Sequence, residues 1–121
     1  MPFMNAYVEG PDYWLLIDGN AGGEVIHPSL FNVKEAKALV RLIDREGTVP
    51  PPAWLRDYTQ SHKIYEAVVK RGYGIRASAS GYMDCTEWDF YASKAEAMKA
   101  GRALQRELEQ EAGELGEGEQ P

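Results

Sequence analysis

The amino-acid sequence predicts an α+β domain in which an antiparallel sheet of about four strands carries three helices, packed mainly on one face. Two observations predict this fold class. Short runs of β-branched and aromatic residues, bounded by glycine and proline, have the composition and length of strands. Two segments with helical periodicity, residues 32–46 and 93–107, each follow such runs. A strand-strand-helix unit is therefore expected twice, with a third helix between the two copies.

The first half is expected to contain three strands. Residues 7–9 and 13–17 form the first two, and the Gly-Pro-Asp sequence at residues 10–12 predicts a turn between them. A loop over residues 18–23 leads to a short strand at residues 24–27. The loop lacks the spacing of nucleotide-binding glycine motifs, so it indicates a flexible connection rather than a phosphate site.

The first helix is predicted to begin after Asn32 and to end at Gly47. The side chain of Asn32 can cap the helix, and Glu35 stands at the capping-box spacing. Apolar residues recur at helical spacing and predict a stripe that faces the core, made of Ala36, Leu39, Val40 and Ile43. The prolines at residues 50–52 then predict an extended connector.

A third helix is predicted from about Ala53 to Arg71. Its apolar side is formed by residues at helical spacing, namely Trp54, Tyr58, Tyr65 and Val69. His62 falls on that side, where a partly buried imidazole with a hydrogen-bond partner is expected. This helix is the extra element between the two copies.

The second half is expected to be a hairpin, with strands at residues 73–79 and 85–91, followed by the last helix. Ser93 caps that helix, Gly101 permits a close backbone approach, and Gly113 ends it. Five of the fifteen aligned positions of the two similar helices are identical, while the strands share none at the same offset. A true duplication and the similar patterning of two amphipathic helices both explain this.

Composition predicts one domain over residues 1–112 and an acidic, flexible tail rich in glycine and glutamate over residues 113–121. Much of the net charge of −6 lies at this end, because residues 111–121 hold four glutamates and no basic residue. A single cysteine, no signal-peptide pattern and no apolar run of membrane-spanning length predict a cytoplasmic protein without disulfides.

Basic residues follow one face of each of the two similar helices. They are Lys34, Lys37, Arg41 and Arg45 in the first helix and Lys99, Arg102 and Arg106 in the last. Acidic residues gather instead in the strand regions, so an electrically two-sided molecule is expected; they are Asp12, Asp18, Asp84, Glu87 and Asp89. A solvated helix face is one interpretation, and a surface that binds anionic groups or an acidic partner is the other. The interspersed acids and the lack of aromatic residues argue against nucleic acid.

The tip of the predicted hairpin is a second candidate binding site. Residues 81–88 bring two large aromatic residues, acids and the only thiol close together. Trp88 is expected to anchor the core, and Tyr82 and Asp84 are expected to contact a partner. Cys85 is expected to be an inert residue of the sheet.

The sequence contains no motif typical of catalysis or of cofactor binding. Two histidines and one cysteine stand at no metal-ligand spacing. No nucleophile motif or paired-carboxylate spacing is present. We therefore expect no enzymatic activity, no cofactor and no metal.

The sequence GYMDCTEW at residues 81–88, followed by SKAEA at residues 93–97, resembles small accessory proteins encoded by bacteriophages. The resemblance covers roughly the last third of the domain and brings no set of functional residues with it. It implies a protein that binds and blocks a bacterial enzyme, transcription factor or immune component.

Two classes of function are consistent with these observations. The first is a non-enzymatic interaction protein with a protein partner, of the kind that inhibits a host or defence protein. The alternative is a protein that binds or sequesters a nucleotide or another phosphate-bearing ligand, as a homo-oligomer whose subunits share the pocket.

Overall fold

The computed structural model describes residues 4–20, 22–55, 63–78 and 86–119, with the backbone alone for residues 112–119. Within these ranges the chain forms four strands, two α-helices and one short 3-10 helix. In chain order they are β1 (Asn5–Gly19), β2 (Glu24–Ile26), the 3-10 helix (Pro28–Leu30), α1 (Val33–Glu46), β3 (Ile64–Ser78), β4 (Asp89–Tyr91) and α2 (Lys94–Glu119).

The four strands form one antiparallel sheet in the order β2-β1-β3-β4. The two long strands, β1 and β3, pair at its centre, and the short strands lie on either side. The predicted α+β class, the four-stranded antiparallel sheet and the repeated strand-strand-helix order are therefore confirmed. The number of helices was wrong, because the described part of the chain contains two α-helices rather than three.

The two α-helices pack on the same face of the sheet. Buried residues of α1, including Leu39, share a core cluster with Ala67 of β3. At the other end, Gly101 of α2 lies so close to Val8 that an added Cβ would stand 3.0 Å from its Cγ2 atom. Val8 pairs with Ile75 of β3. Because side chains alternate along a strand, Ala67 and Ile75 point to one face, and the opposite face carries no α-helix within the described residues.

The predicted helix starts are confirmed, and one of the predicted ends is wrong. The Asn32 side chain accepts hydrogen bonds from two backbone N–H groups of the first turn of α1, and the Gly47 N–H closes its last turn. Ser93 accepts from the N–H of Glu96 at 3.2 Å at the start of α2. This helix continues past Gly113, because a glycine costs a helix only about 1 kcal/mol and good helix formers surround it. No helix in the described ranges is long and apolar enough to cross a membrane.

The predicted turn at residues 10–12 is wrong, because β1 runs through it as one strand. Glu9 pairs with Gly74 and Asp12 with Gly72, so β1 has one extra residue here and forms a bulge. Gly10 has φ +136°, a conformation that other residues rarely adopt. The glycine thus allows a bulge in a continuous strand.

The predicted helix from Ala53 to Arg71 is also wrong over the residues that the structure describes. Ala53 lies in a turn, and residues 64–78 form β3. The apolar residues of this segment fit helical spacing, but β-branched residues such as Val68 favour a strand, and pairing with β1 supplies the partner. The predicted hairpin is confirmed where the end of β3 pairs with β4.

Candidate functional site

A groove lies between α1 and the first half of β3. Lys37, Val40 and Arg41 contribute one wall, because residues three and four apart share a helix face. Residues 67–69 of β3 contribute the other wall, and the groove has a volume of about 330 Å³. Both cations are exposed, whereas Val40 is half-buried. The groove therefore has an apolar floor with two positive charges at its rim.

The other predicted cations do not join this groove. Arg45 is exposed and forms an ion pair with Glu46 at 3.8 Å, which is worth little at the surface. The cations of α2 are also exposed, over the other end of the sheet; they are Lys99, Arg102 and Arg106. Seven residues of β3, about 23 Å, separate Val68 in the groove from Ile75 beneath α2. The predicted contact residues Tyr82 and Asp84 lie outside the described residues, as do Cys85 and His62.

An aromatic cluster lies on the face of the sheet that the helices leave uncovered. Trp14 is completely buried, and its indole N–H donates to the Gly72 carbonyl at 3.1 Å. Its ring contacts those of Trp88 and His27 edge-on, with centroids 5.1 and 5.2 Å away. The guanidinium of Arg76 lies 4.3 Å above the Trp88 ring. The predicted core position of Trp88 is therefore confirmed.

Ser29, His27 and Glu9 form a hydrogen-bonded chain that sequence reasoning missed. His27 Nδ1 lies 2.8 Å from Ser29 Oγ, and its Nε2 contacts the Glu9 carboxylate. The order resembles a nucleophile, base and acid. However, Nδ1 also accepts the backbone N–H of Ser29 at 3.0 Å and so caps the 3-10 helix. The Nδ1 lone pair that a general base needs is therefore already bonded. The three hydrogen-bonded side chains instead fix the direction of the backbone after β2.

A second groove of about 390 Å³ crosses the uncovered face beside Trp88. Its floor includes Leu16 and Val68, and one lysine, Lys70, lies among its walls. Five acidic residues also line it, namely Asp18, Glu24, Glu66, Glu87 and Asp89. Three of these are acids that the sequence placed in the strand regions, while Asp12 is not among them. In the described part of the chain, no three His, Cys, Asp or Glu residues are placed to hold a metal ion.

The two grooves give the molecule one cationic and one acidic site on opposite faces of the sheet. In the sequence, the position of Val40 between two cations was a signal for the cationic groove. The opposite wall of that groove, residues 67–69, becomes visible only once β3 is paired in the sheet. Comparison with models of protein families, with curated proteins and with solved structures finds no match.

Proposed function

We propose that the protein is a non-enzymatic interaction protein that binds another protein through the groove between α1 and β3. One observation carries the proposal: two exposed cations, Lys37 and Arg41, flank an apolar strip formed by Val40 and residues 67–69. An apolar floor with charges at the rim is the usual composition of a protein-binding surface. The partner surface is expected to be acidic at its edge and apolar at its centre.

The resemblance of residues 81–88 and 93–97 to phage accessory proteins supports a narrower form of this proposal. In that form, the partner is a bacterial enzyme, transcription factor or immune component, and binding blocks it.

A nucleotide or phosphate-bearing ligand is the second candidate. The same two cations could hold phosphate oxygens, and a volume of about 330 Å³ falls within the range of small-molecule sites. None of the described residues that line the groove is an aromatic residue that could stack on a base, which favours the protein partner.

Affinity purification with variants of matched chemistry tests the proposal. The tagged protein is incubated with bacterial lysate, and retained proteins are identified by mass spectrometry. Arg41→Glu is compared with Arg102→Glu, because the two arginines occupy equivalent positions in the two similar helices and both are exposed. A partner should be retained by the unmodified protein and by Arg102→Glu, and lost with Arg41→Glu.

Equal retention by both variants would exclude the groove as the binding surface. Thermal unfolding in the presence of nucleotides distinguishes the second candidate function, nucleotide binding, from protein binding. A nucleotide at 100 times its dissociation constant would add about 2.7 kcal/mol to the unfolding free energy, and the increase should vanish in Arg41→Glu.

A further inference from the structure

The outer edge of β3 presents backbone hydrogen-bonding groups beside this groove. Ala77 bonds Thr86 on the β4 side through both its N–H and its carbonyl, each at 2.9 Å. The backbone N–H and carbonyl groups of successive residues alternate between the two sides of an antiparallel strand. The groups of Ala67, Val69 and Arg71 therefore point to the β4 side, as those of Ala77 do. Pairing with β4 stops at Tyr73. Within the described residues, no strand pairs with this edge from residue 67 to residue 71.

The corresponding edge of β1 is closed by side chains. Gln105 of α2 accepts the outward N–H of Ala6 at 2.8 Å. Asp12 accepts the outward N–H of Tyr13 at 2.7 Å, and the bulge at Gly10 interrupts the edge between them. Side-chain caps and bulges are how proteins prevent unwanted pairing at sheet edges. The two long strands occupy equivalent places in the repeated topology, yet among the described residues such features are found at the edge of β1 and not at residues 67–71 of β3.

We propose that the open edge of β3 binds an extended acidic segment of the partner protein as an added strand, lying in the groove beneath α1. This inference rests on the proposed function and specifies how the groove is used. The edge from residue 67 to residue 71 is about 13 Å long and offers the N–H and carbonyl groups of Val69 and Arg71, whereas Ala67 is buried. Added strands obtain affinity from such main-chain bonds and specificity from alternate side chains.

The spacing of the charges favours an acidic residue at alternate positions of that segment. Lys37 and Arg41 are one helical turn apart, about 6 Å along the axis. Side chains two residues apart on a strand are separated by about 6.8 Å, so two acids on the face toward α1 match the two cations. The residues between them point to the other face, beside the apolar side chain of Val68. The recognised pattern is therefore an alternation of acidic and apolar residues.

A second copy of this chain fits the edge less well. If two copies paired through β3, the two α1 helices would flank the junction and place Lys37 and Arg41 of one copy toward those of the other. Like charges brought together in this way oppose association. An acidic strand causes no such repulsion, because its carboxylates pair with Lys37 and Arg41.

Peptide binding tests the inference directly. The probe is a blocked peptide of about six residues with alternating valine and glutamate, titrated against the full chain by calorimetry or fluorescence anisotropy. A peptide with lysine in place of glutamate should bind at least about tenfold more weakly, because its charge opposes the rim. The valine–glutamate peptide N-methylated at alternate residues keeps its charge but cannot donate to β3, so it should also bind at least about tenfold more weakly than the unmodified peptide.

A protein variant provides the reciprocal test. Val69→Pro removes one outward donor without removing a bond to β1, and proline is tolerated where the N–H of an edge strand faces outward. Val69→Ala is the control, because it also loses the side chain but keeps the donor. The proline variant should bind the probe about tenfold more weakly than the alanine variant, with both folded by circular dichroism.

The outcomes separate the inference from the proposed function. Equal binding of the N-methylated and unmodified peptides would overturn strand addition, as would no binding of the unmodified peptide at millimolar concentration. A dimer in solution that Val69→Pro dissociates would overturn it too, because a second copy would then cover the edge. The proposed function fails on a different result, the retention of the lysate partner by Arg41→Glu.

Discussion

Gly74 provides the sharpest test of the aromatic cluster. An added Cβ at this position would stand 2.7 Å from both Cζ2 and Cζ3 of Trp14, and closer still to Cη2. Real Cβ contacts are essentially never shorter than 3.0 Å, so the ring would have to move. Gly74 is not among the glycines with positive φ, and alanine therefore adds no backbone strain. Any loss of stability in Gly74→Ala reports the contact with the ring.

The expected loss follows from what holds the ring in place. Trp14 is fully buried, and its N–H bond to Gly72 would lengthen or break if it moved. Overpacking of a core typically costs about 1–3 kcal/mol, and a lost hydrogen bond about 1 kcal/mol. We therefore expect Gly74→Ala to lower the unfolding free energy by about 3 kcal/mol, and the melting temperature by about 10 °C.

Urea unfolding followed by far-UV circular dichroism measures this effect. The control is Gly23→Ala, where the added Cβ meets only the Ile17 carbonyl at 3.8 Å, so a change within about 0.5 kcal/mol is expected. The substitution is repeated in a Trp14→Phe background, in which the smaller ring leaves space for the methyl group. An unchanged stability of Gly74→Ala, or the same cost in both backgrounds, would refute the packing described for the uncovered face.

Three further predictions concern caps and edges. Asn32→Ala removes the cap of α1 and should lower the unfolding free energy in urea by about 1 kcal/mol; no loss would contradict the cap. His27→Ala removes the ring beside both tryptophans and should lower the unfolding free energy by about 2–3 kcal/mol. Ser29→Ala keeps the backbone hydrogen bond to His27 and should lower it by less than about 1 kcal/mol. Equal losses for the two variants would contradict the view that the imidazole ring contributes more to stability than the serine hydroxyl. Gln105→Ala should accelerate hydrogen exchange at the Ala6 amide about tenfold or more, and unchanged exchange would show that another group closes this edge.

The features that sequence reasoning predicted correctly are local ones. Asn32 and Ser93 cap helices through bonds to residues two or three positions away. The buried stripe of α1 follows from helical periodicity alone, and the close approach at Gly101 follows from its missing side chain. Each of these depends on a few neighbouring residues, so the sequence contains the whole signal.

The features that it missed depend on pairing between distant segments. Residues 64–71 fit helical and strand periods alike, and only the partner strand β1 decides between them. The hydrogen bond between Glu9 and His27 joins residues eighteen positions apart through the pairing of β1 with β2. Only one wall of the groove was predicted, because Lys37 and Arg41 were identified without the strand that faces them.

Hydrogen exchange of backbone amides along β3 tests the central claim most directly. In the free protein, Val68 and Lys70 should be protected because their amides bond to β1, while Val69 and Arg71 should exchange rapidly. Addition of the valine–glutamate peptide should slow exchange at these two amides and leave the closed edge of β1 unchanged. Slow exchange at all four positions in the free protein, or no change when the peptide binds, would contradict a β3 edge that is open and used for recognition.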